Sequence, residues 1–132
     1  MKIEEQVLSI EQMKHLQELG VNTSDASMAY YNISRDNQPD KWILGIANKE
    51  VASIMLSNGI TEMEPTYTIS DLIEKLPKRN DKGSRFNINL GDKTFSYVHT
   101  DVFVHYGEYN NLIDGLYNCL CWVAENHKEL IK

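Results

Sequence analysis

Phe86-Asn87-Ile88-Asn89-Leu90-Gly91-Asp92-Lys93-Thr94-Phe95-Ser96-Tyr97 decides the fold class. Apolar residues alternate with asparagines, the chain meets a Gly-Asp turn, and a second alternating run follows, which is the pattern of a β-hairpin. With a two-residue turn, Leu90 faces Lys93, Ile88 faces Phe95 and Phe86 faces Tyr97, so the large apolar side chains share one face. Asn87, Asn89, Thr94 and Ser96 take the other. An antiparallel sheet covered on one side and wetted on the other follows. The helices that cover it are read from a different period, so the expected fold is α+β rather than a doubly wound parallel sheet.

The covering material is clearest toward the C-terminus. Leu112, Ile113, Leu116, Tyr117, Leu120, Val123 and Ala124 recur at helical spacing between Asn110 and Lys132. An apolar stripe that wide must be buried, which makes this helix the centre of the expected core. A first helix is predicted over Ile10 to Leu19, because Ser9 and Gln12 have capping-box spacing, Leu8 and Met13 can form a hydrophobic staple, and Gly20 supplies a stop. Thr68 caps another helix, with Tyr67 and Leu72 as its staple and Ile69, Leu72, Ile73 and Leu76 as its buried side, before Pro77 ends it. Met28 to Ile33 and Trp42 to Ile46 have strand composition, and Val102 to Tyr106 is a further strand candidate. Residues 47 to 57 are ambiguous: Val51, Ile54 and Met55 fit a helical turn, and a short strand fits nearly as well.

About three helices on one antiparallel sheet therefore make a single domain over residues 1 to 132. That length suffices to bury a core without a disulfide or structural metal. The 132 residues carry 19 acidic and 13 basic side chains, a formal charge of −6. Binding to phosphate backbones or anionic lipid depends on clustered Lys and Arg, so nucleic acid is not an expected partner. Lys75, Lys78, Arg79, Lys82 and Arg85 do gather, but Glu74 and Asp81 interrupt them. The acids are too dispersed and too well offset to mimic a nucleic acid. The Met1-Lys-Ile-Glu-Glu start lacks a signal pattern and no window has about 18 apolar residues, so no membrane span and a cytoplasmic location are expected. Cys119 and Cys121, two positions apart on one helix, point nearly opposite ways and read as small buried thiols.

Chemistry has few candidates. His99, Asp101 and His105 could supply a proton-transfer pair or two nitrogens and one oxygen for a metal, the alternative reading being a small hydrolase or metal-dependent enzyme. Their spacing matches no established zinc pattern, and a histidine such as His99 that extends the apolar face of a hairpin is more often a packed rim residue with one nitrogen hydrogen-bonded. The glycines are scattered singly, without a phosphate loop, and no serine sits in a nucleophile elbow. No catalytic residue and no cofactor is therefore assigned. The aromatic residues favour contacts with proteins instead, with Trp122 at the margin of the terminal helix stripe, and with Tyr106 and Tyr109, as candidate partner-binding residues. The expected function is a non-enzymatic accessory or adaptor protein working through protein–protein contacts, a homodimer being one form these take.

Pro65–Lys78 and Leu112–Asn126, with Leu8–Gly20, resemble segments of small uncharacterised proteins carried by prophages and mobile elements of Bacteroidetes-type gut bacteria. The likeness covers about a third of the chain. It implies a genomic setting and brings no activity, cofactor or functional residue with it.

Overall fold

A computed structural model describes residues 6–34, 38–60, 62–77, 84–89, 91–99 and 102–131. Four helices and six strands form among them, in an α+β arrangement. The helices are α1 (Ile10–Glu18), α2 (Lys49–Ser57), α3 (Ile69–Lys75) and α4 (Leu112–Asn126). The strands are β1 (Met28–Asn32), β2 (Trp42–Ile46), β3 (Glu62–Thr66), β4 (Ser84–Asn89), β5 (Thr94–His99) and β6 (Val102–Glu108).

Local chemistry starts the helices where the sequence places them. Ser9 accepts from the Gln12 backbone N–H at 3.1 Å while the Ser9 N–H donates to Gln12 Oε1 at 2.9 Å, a complete capping box. Thr68 and Asp71 repeat the device on α3 at 3.1 and 3.0 Å. Each box satisfies two backbone donors that would otherwise be open at a helix start. Both staples close: Leu8, Met13, Tyr67 and Leu72 are all buried. Gly20 turns the chain after α1 at φ +89°, a conformation that costs glycine little. Asn48 and Asn111 cap α2 and α4.

The strands divide into two antiparallel sheets rather than one, in the orders β2-β1-β3 and β4-β5-β6. The second sheet keeps the register expected from the sequence, Phe86 opposite Tyr97 and Ile88 opposite Phe95, and continues through β6. Ser96, expected on the wetted face, is buried: it lies on the central strand, between the positions of Asn87 and Tyr106. The first sheet contains β3, which the sequence does not suggest. Glu62-Met-Glu-Pro-Thr66 is poor in strand-forming residues, but it pairs with β1 along its whole length and sits at an edge, where Pro is tolerated. Asn32 ties the loop after β1 down: its amide nitrogen donates to Asp40 and Glu62, and its oxygen accepts from Ser34 and Lys41.

One core joins α1, α3 and α4 with β5. Leu8, Met13, Leu16, Leu72, Leu76, Phe95, Leu116, Leu120 and Val123 are buried in it, with the cysteine Cys119 among them. The C-terminal helix supplies the largest share, seven buried residues on one stripe. In α3 the expected face is rotated: Ile73 is 43% exposed, while Lys75 is buried. Lys75 stands three positions from Leu72, on the inward side of the helix, and finds partners there.

Candidate functional site: an uncovered apolar surface on β2 and α2

The core stops short of β2, α2 and β3. Trp42-Ile-Leu-Gly-Ile46 and Val51-Ala-Ser-Ile-Met-Leu56 are as apolar as core elements, and none of the residues of β2 or α2 is buried. Ile43 is 36% exposed, Ile46 56%, Ile54 61%, Leu56 61% and Met63 43%. Among the residues whose side chains the structure describes, these are five of the six large apolar residues that stand exposed, Ile73 being the sixth. Single exposed apolar residues are ordinary, but five in the consecutive elements β2, α2 and β3 make this segment the candidate contact region. Around the axis of α2 the apolar arc runs from Ile54 through Val51, Met55 and Ala52 to Leu56, about 200° at 100° per residue. Its middle is half-buried and its two margins are open.

The backbone of β2 is also open. The Ile33 N–H donates to the Lys41 carbonyl and the Ala47 N–H to the Ser27 carbonyl. Residues 41 and 47 thus turn their polar groups toward β1, and by alternation Trp42, Leu44 and Ile46 turn theirs to the outer edge. The Tyr31 hydroxyl crosses to that edge and donates to the Ile46 carbonyl at 2.6 Å. No other strand of the described residues pairs there. The opposite edge is closed: Pro65 has no N–H, the Tyr67 carbonyl accepts from Leu8, and Glu62 and Glu64 add charge.

A second polar cluster has a structural character. Lys75 Nζ lies 2.9 Å from Asp25 Oδ2 and 3.0 Å from the Asn22 carbonyl, and the Tyr67 hydroxyl reaches Asp25 Oδ1 at 2.7 Å and the same carbonyl at 2.9 Å. The Lys75 side chain is 4% exposed and that of Asp25 55%. Partial burial would raise the Asp25 carboxyl, but the bonds from Tyr67 and Lys75 outweigh it and hold the group below its ordinary value. Burial, with the bond to Asp25, pushes the Tyr67 phenol well up, so it stays a donor. The knot fastens the turn after α1 to both ends of α3. Because the folded carboxyl titrates below the unfolded one, its contribution is complete above about pH 4 and is lost as pH falls through the lower folded value. The stability advantage of the wild type over Asp25→Asn should hold steady from pH 7 to 5 and shrink below 4 in urea titrations. A gap that does not change down to pH 2.5 would refute the assignment.

An open polar groove of about 770 Å³ runs between α1, the β4–β5 turn and the start of α4, lined among others by Gln12, Asp92, Lys93, Glu108 and Asp114. No group of three metal-ligating side chains occurs among the described residues.

Asp101 lies outside the described residues, so the proposed triad is not assembled by them. His99 and His105 are placed by backbone alone, on β5 and β6, opposite Val102 and Tyr97. Two positions along β5, or three along β6 across a bulge, separate them in register, roughly 7 to 10 Å along the strands. Tyr106 is likewise placed only as a position on β6. Trp122 is half-buried against the core with its ring centroid 5.4 Å from that of His127, and Tyr109 packs on the core while donating to the Asn89 carbonyl at 3.2 Å. Lys75 leaves the basic cluster by being buried; Lys78, Arg79 and Lys82 lie outside the described residues. Cys119 and Cys121 are free, and burial pushes the Cys119 thiol up to about 12 and raises that of Cys121, which leaves neither activated as a nucleophile. No helix among the described residues is long and apolar enough to cross a membrane. Comparison of the chain with protein-family models, with curated proteins and with solved structures gives no match.

Proposed function

We propose that the protein is a non-enzymatic adaptor whose working surface is the β2–α2 unit. The observation that carries this is the absence of any buried residue in two elements of core-like composition. A folded chain gains nothing by leaving Ile46, Ile54 and Leu56 in water, since covering them would stabilise it by about 25 cal/mol per Å² of apolar surface. A partner that covers them collects that free energy as affinity. Trp122, already packed against the core, has less apolar surface left to offer. A prophage or mobile-element setting, implied by the resemblance of Leu8–Gly20, Pro65–Lys78 and Leu112–Asn126, belongs to the same proposal.

A photo-crosslinking side chain at Ile54 or Leu56, in the producing cells, should give discrete protein adducts. The same probe at Lys14, on the exposed side of α1, should give few. Equal labelling at the two places, or none at either, would overturn the assignment.

A further inference from the structure

We infer that a second copy of this chain occupies the outer edge of β2, strand against strand about a two-fold axis, to make a continuous six-stranded antiparallel sheet. The inference rests on the contact-surface reading above and names its occupant.

Three observations point to a copy rather than to an unrelated chain. The first is hydrogen-bond parity. Leu44 is the middle residue of β2 and one of those whose N–H and C=O face outward. An antiparallel pair centred on it is therefore self-complementary: Leu44 exchanges two backbone bonds with its equivalent, and Trp42 comes opposite Ile46. An aromatic facing a β-branched residue is a favourable cross-strand pair. The second is charge. Exposed Asp40 and Lys41 precede the strand, and exposed Lys49 and Glu50 follow it. In this register Asp40 falls opposite Asn48 of the copy and one position from its Lys49, an acid beside a base at each end of the join, whereas parallel pairing would set Lys41 against Lys41. The third is the contrast between edges. Glu62, Glu64 and Pro65 guard β3 against strand addition, and β2 contains no charge and no proline.

The pairing predicts its own disruption. Leu44→Pro removes an outward N–H and keeps the bonds to β1; Ile46→Lys places a charge on the edge without touching the backbone. By sedimentation equilibrium between 5 and 500 µM, the wild type should approach twice its 15.2 kDa mass. Both variants should stay near the protomer mass, with dissociation constants at least tenfold weaker and unchanged far-ultraviolet dichroism. A wild type that remains monomeric at 500 µM overturns the inference, as does a dimer that Ile46→Lys leaves intact. If the wild type is monomeric while Ile54 still crosslinks to a different protein, the dimer is wrong and the contact surface stands. If neither association nor crosslinking occurs, both are wrong.

Discussion

Asp25→Ala is expected to cost on the order of 3 kcal/mol of unfolding free energy, while Lys75→Met costs about 1 kcal/mol, although the two changes break the same ion pair. The asymmetry comes from where each charge is left. Removing the carboxylate leaves a lysine side chain that is 4% exposed, with the Asn22 carbonyl 3.0 Å from its ammonium as a neutral partner. Removing the ammonium leaves a carboxylate that is 55% exposed, still bonded by Tyr67 and hydrated on its open side. Methionine also fills the path of the lysine stem. The double variant should lose less than the sum of the single losses, since no buried charge remains to be compensated. Urea unfolding of the three variants at pH 7 measures this. Equal costs for the two single changes would mean that Lys75 is hydrated in solution.

Leu116→Ala should lower stability by about 2 to 5 kcal/mol, enough to bring a domain of this size near its threshold. Leu116 is fully buried, on the stripe of α4 with Leu120 and Val123, where α1 and α3 meet the same helix. A collapse of the surroundings cannot close the gap cheaply, because three elements would have to move together. Leu56→Ala, by contrast, deletes nearly the same atoms from a residue 61% exposed and should cost less than about 1 kcal/mol. The pair of measurements separates the folding core from the exposed apolar residues of the proposed contact surface.

How far the sequence discloses this architecture depends on the range of the interaction involved. The starts of α1 and α3 are legible because Ser9 with Gln12, and Thr68 with Asp71, complete their capping bonds within four residues. The hairpin register follows from alternation and a short turn. Burial of Lys75 is not legible, because Asp25 lies fifty residues earlier and Ile73 is the more apolar neighbour; an ion pair decides the rotation of α3. β3 escapes notice because an edge strand tolerates Glu and Pro that a central one would exclude. The exposed apolar residues of β2 and α2 are the hardest case. Residue type draws attention to Trp122, Tyr106 and Tyr109, while the run Trp42–Ile46 reads only as a strand and residues 47 to 57 only as a helical turn or short strand. Only the arrangement of the other helices around α4, away from β2 and α2, leaves those runs uncovered. The clue available in advance is the contrast between an unguarded β2 and the acidic, proline-bearing segment 62–66.

The most direct test of the uncovered edge is amide hydrogen exchange resolved at Ile43 and Leu44 across a concentration series. The Ile43 N–H faces β1 and should be protected at every concentration; the Leu44 N–H faces outward and should gain protection, about tenfold or more, as the protein is concentrated from 5 to 500 µM. A Leu44 amide that exchanges at the same fast rate throughout would contradict the pairing of this edge, and protection of Leu44 in a sample that sediments as a monomer would show that the edge is covered within the protomer.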